Sequence, residues 1–168
     1  MPDRTAKEFR HGDDYFQGFL WDQFSGQFSN PLEYTVGVSD WSTDWNYAHS
    51  GYLVGTSWSV WPWRINFNLD SVPTEGNATL TLALASANSA RMDIYVNDEV
   101  NLVARFNPSV SGGNALVREG IHAKYGVYYV PIPVSQLRVG ANTITLVQGR
   151  ATGFFEHVMY DYVNLELP

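Results

Sequence analysis

At 168 residues the chain has the length of one ordinary domain and can bury a core unaided. It has no cysteine, which excludes disulfides, thiolate-bound zinc and cysteine nucleophiles. The formal charge is −7, and the only lysines are Lys7 and Lys124; with no basic stripe, nucleic acid and anionic membranes are poor partners. No run approaches the ~20 apolar residues of a membrane span.

Residues 1–30 read as an irregular, aromatic segment that packs on or links to a sandwich over residues 31–168. Within it, "DDYFQGFLWDQF" spaces Phe16, Leu20 and Phe24 four apart, which predicts one amphipathic helix despite Gly18. From there the period changes to two. "LEYTVGVS" puts Leu32, Tyr34, Val36 and Val38 on one face; "RINFNL" does so with Ile65, Phe67 and Leu69. "TLTLALA" offers Leu80, Leu82 and Leu84, and "RMDIYVN" offers Met92, Ile94 and Val96. "VYYVPI", "NTITLV" and "YVNLEL" follow, and "PVSQLRVG" predicts one helical turn near Gly140. Apolar residues alternating with polar ones, between turns such as "VPTEGN" and "RVGANT", mark half-buried antiparallel strands. The fold class is all-β: an antiparallel β-sandwich jelly roll with at most one or two short helices.

Aromatic residues make up 15% of the chain and gather outside this alternation. "SDWSTDWNYAHSG" carries Trp41, Trp45, Tyr47 and His49 in a stretch too polar, by its pattern, for a core. "WSVWPWR" carries Trp58, Trp61, Trp63 and Arg64, and "VREGIHAKYGVYY" carries Arg118, His122, Lys124, Tyr125 and Tyr128. Pyranose rings have apolar faces and hydroxyl rims, so flat rings beside Arg, Asn and His suit a glycan; the same rings could equally plug the sandwich ends. Catalytic signatures are missing: there is no nucleophile elbow, phosphate loop or zinc-protease motif. Asp40 and Asp44 read first as turn and cap formers, and second as a carboxylate pair for glycoside chemistry. The scattered histidines read as hydrogen-bonded structural residues. Asp161 shares parity with Val163, Leu165 and Leu167, so it is expected to face inward. There it would need arginine, backbone donors or a structural calcium ion.

In order, "PDRTAKEF", "YTVGVSD", "DWNYAHSG", "LTLALASAN", "VREGIHAKYG", "GANTITL" and "VMYDYVNLEL" resemble the C-terminal domain of rhamnogalacturonan lyases, polysaccharide lyase family four. The resemblance implies a galactose-binding-like jelly roll, similar to carbohydrate-binding modules. It also implies a secreted, extracellular parent enzyme that cleaves pectin by β-elimination. That family's catalytic lysine and histidine lie in an N-terminal domain, so no residue here inherits a catalytic role, no cofactor is required, and "PDRTAKEF" looks like a junction inside a longer protein. "SWSVWP" is an insertion relative to the family's "WxIxFxL" strand, matched by Trp63, Ile65, Phe67 and Leu69.

Three functions are therefore in play. The domain binds plant cell-wall polysaccharide, a pectic glycan above all, through Trp58, Trp61, Trp63, Arg64, Trp45, Tyr47, Arg118, His122 and Tyr125. Alternatively it only packs against the lyase catalytic domain, through an apolar patch near Phe9, Phe16, Phe19 and Trp21. The third is independent glycan chemistry by Asp40, Asp44 or Asp161.

Overall fold

A computed structural model describes residues 20–46, 48–108 and 125–168, with the side chains of residues 20–22 excepted. The elements in chain order are α1 (Leu20–Gln27), β1 (Leu32–Thr35), α2 (Trp41–Asp44), β2 (Ala48–Ser50), β3 (Tyr52–Val54), β4 (Ser57–Ser59) and β5 (Pro62–Leu69). They continue with β6 (Asn77–Asn88), β7 (Met92–Val96), β8 (Leu102–Phe106), β9 (Gly126–Pro133), a 3-10 turn (Val134–Gln136), β10 (Gly140–Gln148) and β11 (His157–Glu166).

Two sheets enclose the core. One runs β1-β5-β10-β7-β8 and the other β2-β11-β6-β9. All their pairings are antiparallel except β1 with β5. The alternation seen in the sequence supplies the interior. Leu80, Leu82 and Leu84 from one sheet and Met92, Ile94, Val96, Ile144 and Leu146 from the other are buried in a single cluster. Two layers sharing one core, with polar residues at alternate positions, make the all-β sandwich expected from the period-two pattern.

The strand containing Tyr34 is shorter than its pattern. β1 stops at Thr35, and Val36 and Val38 are exposed. The amides of Val38 and Ser39 fold back onto the Thr35 carbonyl at 3.1 and 2.8 Å, and Gly37 adopts φ +79°. A left-handed glycine ends the alternation that the valines alone would continue.

The inserted "SWSVWP" has a local role. Residues 57–59 form β4, which pairs with β3 in a small two-stranded hairpin turning at Gly55, φ +63°. Helix α1 packs beside it: Phe24 is buried, edge-on to Tyr52 with ring centroids 6.4 Å apart.

Candidate functional site

The aromatic stretches divide between core and surface, and the division differs from the pattern-based expectation. Trp61 and Trp63 are 4% and 0% exposed, so neither offers its ring to a ligand. Trp63 occupies an inward position of β5, in register with Leu32 and Leu146 on either side. Trp61 immediately precedes β5 and stacks on Tyr52 at 4.6 Å and 28°. The hairpin made by the insertion turns this indole inward, so it closes the end of the core. Trp45 is half-buried among Tyr34, Trp63 and Tyr160, at centroid distances of 5.7, 4.9 and 5.6 Å. Trp58 stays partly exposed on β4, with its ring 6.1 Å from that of Phe154.

Asn46, His49 and Ser50 are buried, although their stretch looked too polar for a core. Each polar group finds a partner. The Asn46 amide donates to the Tyr52 hydroxyl at 3.0 Å, and its oxygen accepts from the Ala48 amide at 3.2 Å. His49 Nε2 lies 2.8 Å from the Trp61 carbonyl, which can only accept, so Nε2 carries the proton. Nδ1 then accepts from the Tyr160 hydroxyl at 3.0 Å. The Gln148 amide, 3.4 Å from Nε2, is too distant to displace that arrangement. Burial lowers the His49 pKa to about 3 and that of His157 to about 4. His157 bonds the Phe155 carbonyl at 2.8 Å. Both imidazoles are neutral structural groups near pH 7. Asp40 caps α2 by accepting from the Ser42 amide at 2.8 Å, while Asp44 accepts from the Asp40 amide at 2.9 Å. The pair closes a reciprocal cap, and each carboxylate is engaged by backbone.

Asp161 is exposed, contrary to the parity argument. In β11 Tyr160 is in register with Leu84 but Tyr162 with Ala83, so Asp161 is an extra residue. One added residue reverses which face the strand presents: Tyr160 is buried, and Val163 and Leu165 also pack on the core. Asp161 is left outside, where its Oδ2 accepts from the Tyr125 hydroxyl at 3.0 Å. Among the described residues no group of three or more His, Asp or Glu side chains could hold a metal.

That same bulge builds a surface. On the outer face of the four-stranded sheet, Tyr162, Ala83 and Val127 form one row across β11, β6 and β9. Asn164, Thr81 and Tyr129 form the next. Tyr125, Tyr129 and Tyr162 are 56%, 71% and 53% exposed. Between these tyrosines β6 presents the small residues Ala83 and Thr81, which are 3% and 7% exposed, so the rings stand on either side of a covered strand, about 10 Å apart across two strand spacings. Partial burial first, then the hydrogen bond to the Asp161 carboxylate, raise the Tyr125 pKa. Tyrosines 129 and 162 escaped the sequence reading, although Tyr129 has the outward parity in "VYYVPI".

Arg64 lies elsewhere, on the outer face of the five-stranded sheet. Its Nε donates to Glu99 at 2.6 Å and a terminal nitrogen to Glu33 at 3.0 Å, which raises its pKa. Glu99 is in turn held below the ordinary carboxylate range, chiefly by that hydrogen bond. The structure thus brings Tyr125 together with Asp161, and Trp63 with Trp45 and His49, but Arg64 with neither group. Tyr47, Arg118 and His122 lie outside the described residues, as do Phe9, Phe16, Phe19 and the Trp21 side chain.

Comparison with known proteins places the whole chain. The chain is 27% identical over 224 residues to the probable rhamnogalacturonate lyase B of Aspergillus flavus, covering 99% of this chain and 32% of that protein. It is 26% identical over 170 residues to the rhamnogalacturonate lyase of Dickeya dadantii, covering 97% of this chain and 26% of that protein. The chain thus spans about a third or less of the length of the curated relatives it matches. Among solved structures, a family 35 carbohydrate binding module from an environmental isolate aligns at a TM-score of 0.41 and 20% identity, over 64% of each chain. The family described as "CBM-like: Polysaccharide lyase family 4, domain III" matches residues 1–165. The chain belongs to this family, the carbohydrate-binding-module-like third domain of polysaccharide lyase family 4.

Proposed function

We propose that this domain is a non-catalytic glycan-binding module that holds a secreted rhamnogalacturonan lyase on plant cell-wall polysaccharide. The observation that carries the reading is the set of exposed tyrosines, Tyr125, Tyr129 and Tyr162, on either side of β6. Rings spread along both sides of one strand suit a linear chain. The rings offer flat apolar seats, while exposed Asp161 and half-buried Asn164 offer groups for sugar hydroxyls.

The likeness to rhamnogalacturonate lyases supports a pectic ligand and a catalytic domain as covalent neighbour. Tethering raises the local concentration of that catalytic domain at the wall, with no chemistry by this one. Each stacked ring contributes about 1 kcal/mol, so the isolated domain binds weakly, at roughly micromolar to millimolar Kd.

The test is affinity electrophoresis of the purified domain through rhamnogalacturonan, homogalacturonan, galactan, arabinan, xylan and mannan. Retardation by at least one pectic polymer, lost in Tyr129→Ala, is expected. Unretarded migration in every gel would leave a domain that only packs against its neighbour. Release of product from any polymer would make it an enzyme.

A further inference from the structure

The opposite face of the sandwich holds a separate polar cleft of about 340 Å³, lined by Glu33, Arg64, Asn66, Asn97, Asp98, Glu99, Thr143 and Thr145. Its floor is the register row Glu33–Arg64–Thr145 and the next row Thr35–Asn66–Thr143. The side chains hold one another in place. Asn66 donates to Glu33 Oε2 at 2.8 Å and accepts from the Thr143 hydroxyl at 2.7 Å, while Arg64 joins Glu33 to Glu99. Asp98 is fixed by the amides of Val100 and Asn101 and by the Asn101 side chain, which lower its pKa. Tyr95 is in register with Thr145 one strand further on, so a half-buried ring adjoins the polar floor.

We propose that this cleft is a second glycan subsite that takes one neutral sugar residue and rejects uronates. The proposal rests on the reading of the domain as a glycan binder but uses a different face. Three features carry it. The cleft is a shallow, largely open depression of about 340 Å³, an extent that suits a single ring rather than a chain. The lining is planar and preorganised, with a guanidinium, amides and carboxylates already fixed by hydrogen bonds. A carboxylate offers about four lone-pair positions, so Glu33 and Glu99 retain acceptors for sugar hydroxyls after binding Arg64. Three carboxylates against one guanidinium leave the cleft with a formal charge of −2, in a protein of −7. An anionic galacturonate is repelled there, whereas a neutral galactose, arabinose or rhamnose residue is not.

The test is a backbone-amide NMR titration with methyl galactoside, methyl arabinoside, methyl rhamnoside and sodium galacturonate. At least one neutral glycoside is expected to shift the amides of Asn66, Asn97, Thr143 and Thr145, with galacturonate leaving them in place. Thr143→Val, which removes one hydroxyl, should weaken that binding roughly fivefold. Thr143→Ser should restore it, and Tyr129→Ala on the other face should not change it. Unmoved cleft amides with every neutral sugar, an unweakened Thr143→Val, or equal binding of galacturonate would each overturn the proposal. Retardation in polymer gels, and its dependence on Tyr129, reads the first site separately.

Discussion

The imidazole of His49 lies flat on the indole of Trp63, with ring centroids 4.2 Å apart and planes within 7°. The ring is buried and both its nitrogens are bonded, so protonation would place a charge in the core with no anion beside it among the described residues. The folded pKa of about 3 lies below the ordinary 6.5, and that of His157 lies at about 4. The unfolded chain therefore takes up protons first as pH falls. These two histidines cost no stability above about pH 6.5; below it, each removes up to about 1.4 kcal/mol per pH unit until its folded pKa is reached. Urea titrations at pH 7, 5.5 and 4.5 should show a falling midpoint with unchanged slope. In His49→Gln the decline should be shallower. An equal decline in that variant would show that His49 is not a source of it.

The burial of Trp61 separates stability from binding. Trp61→Ala should cost about 3–5 kcal/mol, as for other large core aromatics. Trp61→Phe should cost far less, because the indole nitrogen of Trp61 has no hydrogen-bond partner among the described residues and its removal relieves a buried unpaired donor. Thermal melting of the two variants checks the difference, and folded Trp61→Phe should bind polysaccharide as wild type does. Loss of binding in folded Trp61→Phe would return this indole to the ligand site.

Asp161 offers a single exposed carboxylate with Tyr125 as its partner, far short of the six to eight oxygens calcium prefers. Adding calcium or a chelator should leave the melting temperature of wild type and Asp161→Asn alike. A calcium-dependent rise in wild type alone would assign Asp161 a metal. Tyr125→Phe should likewise change stability by no more than about 0.5 kcal/mol, since the bond it removes is at the surface.

The sandwich was legible because its core strands keep strict alternation: Leu80, Leu82 and Leu84 are buried as their spacing requires. Alternation fails where a local event resets it. Gly37 ends β1 early, and the extra residue Asp161 reverses β11, and neither event leaves a mark in hydropathy. The polar core was hidden for another reason. His49 is tolerated only because Tyr160, 111 positions away, completes its hydrogen bonds. The candidate surfaces were equally dispersed. Tyr125, Tyr129 and Tyr162 come together through the pairing of β9 and β11 with β6, and Arg64 meets Glu33 and Glu99 31 and 35 positions away. Rings close together in sequence, as in "WSVWPW", are split between core and surface by the hairpin that contains them.

The tyrosine face gives the most direct measurement. Calorimetric titration of the pectic polymer that retards the domain, into wild type, Tyr129→Ala and Tyr162→Ala, isolates the stacking surface, since both side chains are more than half exposed. Each substitution should weaken binding roughly three- to tenfold while leaving unfolding within about 0.5 kcal/mol of wild type. Wild-type affinity in both stable variants would contradict the assignment of this face as the glycan platform.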